Sequence, residues 1–369
     1  MKKLTIAAIV ALCLSSIVFA QGGSDDAPKG TATKQADPVE AKNLTGAGAT
    51  FPAVLYSKWF SEYEKKYGVQ VNYQSIGSGG GIKSISDMTV DFGATDGPMT
   101  EEQMAAAKGG EIVHIPAAMG AVVPTYNIPE LASSGASLRF TAETLSGIFL
   151  GSITKWNDPK LVADNPDLKN LDKDIVVAHR SDGSGTTNIW TSYLTAVSDE
   201  WAKKVGAGNS VQWPVGLGGK GNEGVAGVVK QTPYSIGYVE LAYANQNKLA
   251  VGQVKNKAGK FVTPNMKTAS LAAQGVPLPE HMRVKLVNSA NPEAFPIVGF
   301  TWLLAYTNQS DPAKARALTR MLWWAIHDGQ QYCEALDYAP IPGDAVKLAE
   351  ALIKKITVNG KQALPEIRL

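Results

Sequence analysis

Three short segments combine glycines or other small residues with hydroxyl side chains, and each leads into a helical pattern. They are residues 46–52 (GAGATFP), 76–81 (IGSGGG) and 180–186 (RSDGSGT). The start of a helix offers unpaired backbone N–H groups and a partial positive charge, and glycine lets that backbone approach an anion closely. Four hydroxyl side chains can add donors, those of Thr50, Ser78, Ser184 and Thr186. Together, the segments predict an oxyanion site.

Arg180 adds a positive charge to the third segment. Its planar guanidinium presents a fork of donors that suits a tetrahedral oxyanion. Asp182, two residues later, could pair with the guanidinium and hold it in place. Taken alone, the two residues could equally form a solvated surface pair, so the prediction of a site depends on all three segments together.

A carboxylate, that of Asp96, stands in a fourth segment, residues 91–98 (DFGATDGP). The segment has the pattern of a short strand that ends in a turn. The structural alternative is that Asp96 caps the N-terminus of a helix over residues 101–108, because aspartate is a favoured N-cap residue.

An enzyme acting on phosphate esters is the first functional alternative. Ser184 does not lie in the G-x-S-x-G context of a nucleophile elbow. Four scattered histidines match no metal-ligand spacing, namely His114, His179, His281 and His327. Residues 218–221 (GGKG) differ from a nucleotide-binding loop, since Pro214 stands in place of its first glycine and Gly221 in place of its Ser or Thr. We therefore expect no catalysis, no cofactor and no metal.

The composition limits the remaining classes. A chain of 369 residues accommodates two domains, and a hydrophobic content of 44% can build a core. The 35 basic side chains include Lys2 and Lys3, so without residues 1–20 they equal the 33 acidic ones in number. A neutral chain has no bulk field to gather anions or nucleic acid, so no nucleic-acid partner is expected and any anion preference must be local.

Residues 1–20 have the pattern of a secretory signal peptide. A basic start is followed by an apolar stretch, and residues 18–20 (VFA) place small residues where a signal peptidase requires them, with cleavage after Ala20. This predicts export to the periplasm; a buried N-terminal helix is the alternative. Residues 21–43 are polar and rich in Gly, Pro and charge, which predicts a flexible linker.

The sequence contains two cysteines, Cys13 and Cys333. Because Cys13 lies within the predicted signal, the mature chain would keep one cysteine and form no intramolecular disulfide. Lipid attachment at Cys13 is an alternative, which is disfavoured because Leu12 precedes it where a small residue is expected.

From Leu44 onward, short apolar runs alternate with amphipathic helical patterns. Strands are predicted at residues 69–73, 91–94, 112–115, 121–127, 175–178, 235–239 and 297–306. Helices are predicted at residues 53–67, 184–196, 223–230, 312–328 and 345–356. This alternation predicts an α/β protein with largely parallel sheets.

Seven stretches, in order over nearly the whole mature chain, carry a family resemblance. They are residues 45–52 (TGAGATFP), 71–81 (VNYQSIGSGGG), 90–98 (VDFGATDGP), 151–158 (GSITKWND), 180–186 (RSDGSGT), 213–224 (WPVGLGGKGNEG) and 236–242 (IGYVELA). Together they closely resemble the phosphate-binding proteins of bacterial phosphate ABC transporters.

The resemblance implies an α/β, two-lobed periplasmic-binding-protein fold, in which two discontinuous α/β domains, joined by two crossover segments, close over one dehydrated phosphate. Lobe one would comprise residues 44–116 plus 296–369, and lobe two residues 117–295. The expected partners are inorganic phosphate and the membrane permease subunits of a phosphate ABC transporter, and the chain is expected to be a monomer.

The resemblance also implies a set of phosphate-binding residues. The motif positions correspond to Thr50, Phe51, Ser78, Asp96, Arg180, Ser184, Gly185 and Thr186. Asp182 matches the family acid that supports the arginine. Gly79 stands where some relatives carry serine, and His179 where some carry a second arginine; both changes concern the mouth of the cleft.

With this site in view, Asp96 has a specific role. An ionised aspartate only accepts hydrogen bonds, and phosphate near neutral pH still carries a proton to donate. Sulfate carries none, so its oxygen would face a buried carboxylate with no hydrogen between them. A site built around one such bond can reject the analogue that lacks it by roughly 10⁴-fold or more. Asp96 is thus expected to select phosphate over sulfate.

Two binding or structural alternatives stay open. The chain could bind another oxyanion, such as sulfate, molybdate or a phosphonate, although Asp96 argues against sulfate and, less firmly, against molybdate. An adhesion or structural role is the other alternative, which no feature of the sequence requires.

Overall fold

The computed structural model describes residues 39–132 and 137–364. The predicted signal peptide at residues 1–20, with Cys13, lies outside the described residues, as does the predicted linker up to residue 38.

The described residues form fifteen β-strands and twelve α-helices. The strands are β1 (Asn43–Gly48), β2 (Gln70–Ser75), β3 (Phe92–Thr95), β4 (Ile112–Asn127), β5 (Arg139–Phe140), β6 (Val176–Arg180), β7 (Leu217–Gly219), β8 (Ser235–Glu240), β9 (Ala250–Val251), β10 (Gln253–Lys255), β11 (Phe261–Val262), β12 (Val298–Tyr306), β13 (Asn308–Gln309), β14 (Thr357–Val358) and β15 (Lys361–Gln362). The helices are α1 (Ala53–Tyr67), α2 (Ser78–Ser86), α3 (Glu101–Ala105), α4 (Ala142–Leu150), α5 (Pro159–Val162), α6 (Gly185–Val197), α7 (Asp199–Lys204), α8 (Gly221–Gln231), α9 (Leu241–Gln246), α10 (Met266–Ser270), α11 (Pro312–Ile326) and α12 (Gly343–Lys354).

Nine strands form one sheet in the order β2-β1-β3-β12-β4-β8-β6-β7, with β9 paired to β4. The two ends of the sheet are parallel, since β1 pairs in parallel with β2 and β3, and β6 with β7 and β8. The prediction of largely parallel pairing is wrong for the centre, where β12 and β4 run antiparallel to their neighbours. These two strands carry the chain in opposite directions between the ends of the sheet.

Strand β4 is a single strand of 16 residues, where the sequence analysis predicts two separate strands. Its first part, Ile112 to Ala121, pairs with β12, and its last part, from Val122, pairs with β8. Pro116 hides this continuity in the sequence, because proline lacks the N–H that a central strand needs. The register shifts beside Pro116, so the structure accommodates the proline at an irregularity.

Local signals set the ends of the helices. Helix α1 begins after Pro52 and ends at Gly68, whose φ of 65° is the left-handed conformation that glycine adopts readily. Helix α11 begins at Pro312 after Asp311, whose carboxylate accepts bonds from the amides of Ala313 and Lys314. The spacing of these signals explains why both helices are predicted to start within a residue of their observed positions.

The fold begins before the predicted end of the linker at residue 43. The Arg320 guanidinium lies 2.7 Å from the Glu40 carboxylate, and the Ala41 amide donates to the Ala313 carbonyl. These contacts attach residues 40–43 to helix α11, so a flexible linker would have to end before Glu40. Within the described residues, no helix is both long enough and apolar enough to cross a membrane.

Candidate anion-binding site

Each of the three predicted turns connects the end of a parallel strand to the start of a helix. The first follows β1 and leads into α1, the second follows β2 and leads into α2, and the third follows β6 and leads into α6. In open α/β sheets, ligands bind beyond the carboxyl ends of the strands. The first two turns come from one end of the nine-stranded sheet and the third from the other.

Direct contacts join the turns from the two ends of the sheet. The Gly79 amide donates to the Gly183 carbonyl at 2.8 Å. A Cβ atom added at Gly185 would lie 2.5 Å from Asp96 Cβ, a separation that only glycine permits. The side-chain amide of Asn222 contacts both Thr50 Oγ1 and Thr186 Oγ1.

The two halves of the predicted site therefore meet. The structure brings together all eight predicted residues, either through these contacts or as chain neighbours within the three turns.

Asp96 is buried and shares its surroundings with Ser78. The Asp96 amide donates to Ser78 Oγ at 3.1 Å, and Ser78 Oγ lies 3.3 Å from Asp96 Oδ2. The second carboxylate oxygen, Oδ1, is buried without a hydrogen-bond partner among the described residues. Burial raises the pKa of Asp96 to about 7, against the lowering effects of the Thr301 hydroxyl, the Arg180 charge and the Ser78 hydroxyl.

The alternative role of Asp96 as a helix cap is wrong. Helix α3 is capped by Thr100, whose hydroxyl accepts a bond from the Gln103 amide while the Gln103 side chain accepts one from the Thr100 amide. The helix is also shorter than the predicted 101–108. Asp96 lies outside this reciprocal cap, so its carboxylate is available to the site.

Arg180 and Asp182 form a bidentate pair within the third turn. The distances are 2.8 Å from Nε to Oδ1 and 2.6 Å from Nη2 to Oδ2. The Arg180 side chain is 1% exposed, which excludes the solvated surface pair. Partial burial would raise the pKa of Asp182, but the bonds and charge of Arg180 and the Gly221 amide hold it below its ordinary value. Nη1 has no protein partner among the described residues.

Backbone amides complete the set of donors. Across the described chain, the N–H groups of Phe51, Ser78, Gly185 and Thr186 have no hydrogen-bond partner. The Phe51 ring is buried against Tyr338, whose hydroxyl donates to the Phe51 carbonyl. Phe51 can therefore bind an anion only through its backbone N–H. The site thus combines free amides, hydroxyls and one guanidinium with a single carboxylate.

Comparison with known proteins places this arrangement in a family. A model of the PBP superfamily domain matches residues 28–325. The phosphate-binding protein PstS of Haemophilus influenzae is 46% identical over 310 residues, covering 84% of this chain and 91% of that protein. The phosphate-binding protein PstS of Xylella fastidiosa strain 9a5c is 40% identical over 361 residues, covering 95% and 98%. The chain belongs to the PstS family of the PBP superfamily.

The fold agrees with that assignment. A high-affinity periplasmic phosphate-binding protein (PfluDING), solved with phosphate bound, superimposes with a TM-score of 0.67 at 20% identity, covering 84% of this chain and 93% of that one. The chain therefore has the two-lobed fold of the periplasmic binding proteins, as the sequence analysis predicts. The relatives named above are phosphate-binding proteins, and PfluDING is a periplasmic one.

Gly79 and His179, the two positions where the sequence analysis expects departures from the family pattern, both contact the surroundings of the turns. At Gly79, an added Cβ would lie 3.1 Å from Gly183 Cα, so a side chain there would press on the opposite turn. His179 stacks on Trp213 with ring centroids 4.9 Å apart. The two rings border a cavity of about 320 Å³ that Arg180 and Asp182 also line. Both positions therefore lie beside the turns, next to the predicted site residues.

Asn222 is the residue that sequence reasoning missed. It lies in the stretch 213–224, which carries the PstS resemblance, but its residue type alone assigns it no contact. Its partners are far away in the chain, at Thr50 and Thr186, so only the folded structure shows the connection.

The described part of the chain contains no group of three His, Cys, Asp or Glu side chains placed to hold a metal ion.

Proposed function

We propose that this PstS-family chain binds one inorganic phosphate ion in the cleft between its lobes and delivers it to the permease subunits of a phosphate ABC transporter. One observation carries the proposal. A buried guanidinium with a free Nη1 donor lies among free amides and hydroxyls from both ends of the sheet, together with one carboxylate whose Oδ1 is free. The names of the relatives, phosphate-binding proteins PstS, agree with it.

The chemistry of the site suits binding without turnover. Ser184 Oγ accepts a bond from the Thr187 amide as the cap of α6, and within the described residues it contacts no histidine or carboxylate that could activate it. A nucleophile needs such a base, so we propose a binding protein rather than a hydrolase, one that needs neither a metal nor a cofactor. The donors would hold a dehydrated tetrahedral anion.

We propose that the lobes are those expected from the resemblance, residues 44–116 plus 296–369 and residues 117–295. The change of partner along β4, from β12 to β8, supports a crossover there, with β12 as the second. One segment of lobe two would reach the other lobe. The Met282 carbonyl accepts a bond from Trp302 Nε1, and Arg283 pairs with Glu101 at 2.9 Å.

We further propose that residues 1–20 direct export and are removed, and that residues from 21 to about 39 act as a flexible linker. The mature chain would then act as a monomer in the periplasm, in agreement with the description of PfluDING as a periplasmic protein. Cys333 is buried, and burial raises the pKa of its thiol to about 12, so it would be an unreactive core residue.

The proposed ligand leads to a first prediction. The mature protein, stripped of bound anion by unfolding and refolding, is expected to bind phosphate with one-to-one stoichiometry, measured by isothermal titration calorimetry. No inorganic phosphate is expected to be released from phosphate esters, because Ser184 contacts no activating base among the described residues. A stripped, folded protein that gives no heat with phosphate would overturn the proposed function.

The division of donors between the lobes leads to a second prediction. Only the closed form places donors from both lobes against the anion, so phosphate should increase the fraction of molecules with closed lobes. Small-angle X-ray scattering is expected to give a smaller radius of gyration with phosphate than without it. Addition of sulfate at equal concentration serves as the control. An unchanged radius with saturating phosphate would instead indicate a rigid, preformed pocket.

A further inference from the structure

Asn222 is a fully buried side chain in the first turn of α8. Its amide nitrogen donates to Thr50 Oγ1 at 2.8 Å and to Thr186 Oγ1 at 3.0 Å. Its backbone N–H donates to Thr50 Oγ1 as well, at 3.1 Å. Its side-chain oxygen accepts a bond from the Glu240 amide at 2.9 Å. One residue therefore connects the first turn, the third turn and the end of β8.

The Glu240 contact determines which way the Asn222 amide points. A backbone N–H can only donate, so the group that faces it must be the oxygen of the side-chain amide. The NH₂ group must then face the two threonine hydroxyls. Because both of its protons are used in this way, the amide has a single consistent orientation, and it acts on the hydroxyls only as a donor.

This orientation limits what Thr50 can do. A hydroxyl oxygen has two acceptor lone pairs and one proton to donate. The two bonds from Asn222 occupy both lone pairs of Thr50 Oγ1, so a ligand beside it can only receive the hydroxyl proton. Thr186 Oγ1 accepts one bond from the same amide, which likewise favours donation of its proton away from Asn222.

We propose that Asn222 is a positioning residue that sets the hydroxyls of Thr50 and Thr186 as donors toward the bound anion and ties the two sides of the cleft together. The inference rests on the proposed phosphate site. Thr50 would then be unable to accept a proton from the ligand, and Asn222 would contribute to phosphate affinity without touching the ligand.

The test uses isothermal titration of the stripped mature protein with phosphate. Asn222→Ala removes the amide and frees both hydroxyls to rotate, and we expect phosphate affinity to fall about 10- to 100-fold, the cost of poorly made bonds to a charged group. Asn222→Asp has the same shape but accepts the hydroxyl protons and adds a negative charge. It is expected to bind more weakly than Asn222→Ala.

A matched control is available at Asn256. This side chain is also buried, and its amide nitrogen donates to the Pro292 and Ala294 carbonyls, far along the chain from the predicted site residues. Asn256→Ala and Asn256→Asp are expected to lower thermal stability without changing phosphate affinity by more than about 3-fold. The thermal midpoint of every ligand-free variant shows that it is folded.

A double-mutant cycle separates positioning from general structural support. If Asn222 acts through the hydroxyls, adding Asn222→Ala to the Thr50→Val/Thr186→Val protein should cost less than about 3-fold in affinity, because no hydroxyl remains to orient. A full, additive loss in that background would overturn the inference. If the alanine variants do not fold, Asn222→Leu, which is uncharged and close in volume to asparagine, completes the same cycle.

The outcomes also distinguish this inference from the function on which it rests. Wild-type protein that binds no phosphate would overturn the proposed function. Wild-type protein that binds phosphate, with Asn222 variants that bind it equally well, would overturn only the role of Asn222.

Discussion

At about pH 9, where Asp96 is ionised, replacing it by asparagine is expected to lower the ratio of phosphate to sulfate affinity by about 100-fold, with a much smaller change in phosphate affinity itself. The buried carboxylate can accept the proton that phosphate carries, whereas a proton-free sulfate oxygen would meet it without any hydrogen between them. An amide can turn its NH₂ group toward sulfate and remove that penalty. Competition titrations with the two anions measure the ratio.

Ser184→Ala is the control for this experiment. It removes one donor that phosphate and sulfate use in the same way, so both affinities should fall together and the ratio should stay constant. An Asp96→Asn protein that keeps the wild-type ratio would make Asp96 a structural residue and remove the main argument for phosphate over sulfate.

The raised pKa of Asp96 adds a pH dependence to the same prediction. With a pKa of about 7 in the ligand-free site, the carboxyl is increasingly protonated as pH falls below that value. A protonated carboxyl can donate to sulfate, so the sulfate affinity of the wild type should rise as pH falls through about 7. Asparagine does not titrate, and Asp96→Asn should lack this rise.

The same group affects the stability of the ligand-free protein. Its folded pKa of about 7 lies above the ordinary value of 3.8, so its stabilising contribution is fully present below about 4 and is lost as pH rises through 7. Above pH 7 the wild type must bury a carboxylate charge, which asparagine avoids. Thermal unfolding should therefore show that Asp96→Asn gains stability relative to wild type as pH rises across this window.

Removal of the Arg180 charge is the second change with a large expected effect. Arg180→Met keeps much of the side-chain volume but leaves a buried anion without its cation, which costs on the order of 2–5 kcal/mol, or roughly 30- to 4,000-fold in phosphate affinity. Part of this loss comes from Asp182, which would remain as an unpaired negative charge beside the anion. Isothermal titration measures the loss.

Asp182→Asn should cost less than Arg180→Met, because Asp182 orients the guanidinium through Nε and Nη2 and leaves Nη1 for the ligand. The double variant separates the two contributions. If Asp182 acts only through Arg180, the Arg180→Met/Asp182→Asn protein should bind phosphate at least as well as Arg180→Met alone. Equal losses for the two single variants would mean that Asp182 contacts the ligand directly.

The sequence predicts well those features that depend on residues close together in the chain, such as helix ends, turns and short-range pairs. Pro52 and Gly68 bound α1 because proline suits the start of a helix and glycine adopts the left-handed conformation at its end. The pairing of Arg180 with Asp182 spans two residues and was anticipated. The three turns were recognisable as anion-binding candidates since glycines, hydroxyls and a following helix stand together in the chain.

The sequence does not decide the structure where two features of nearby residues favour different outcomes, as at the N-terminus of α3 and in the middle of β4. Asp96 and Thr100 are both good helix caps, and the reciprocal bond with Gln103 decides for Thr100. Pro116 argues against a central strand, but pairing with β12 and β8 on either side extends β4 through it. The order of the strands and the antiparallel centre of the sheet likewise depend on pairings between distant segments.

The sequence by itself therefore determined the α/β class, the boundaries of α1 and the start of α11, the residue types of the site and, through its motifs, the family. Only the tertiary structure decided which groups remain free for a ligand. The free Nη1 of Arg180, the free Oδ1 and raised pKa of Asp96, and the bonds from Asn222 to Thr50 and Thr186 all depend on burial and on partners distant in the chain. Burial and hydrogen-bond saturation are properties of the packed molecule, and neither is encoded in the spacing of neighbouring residues.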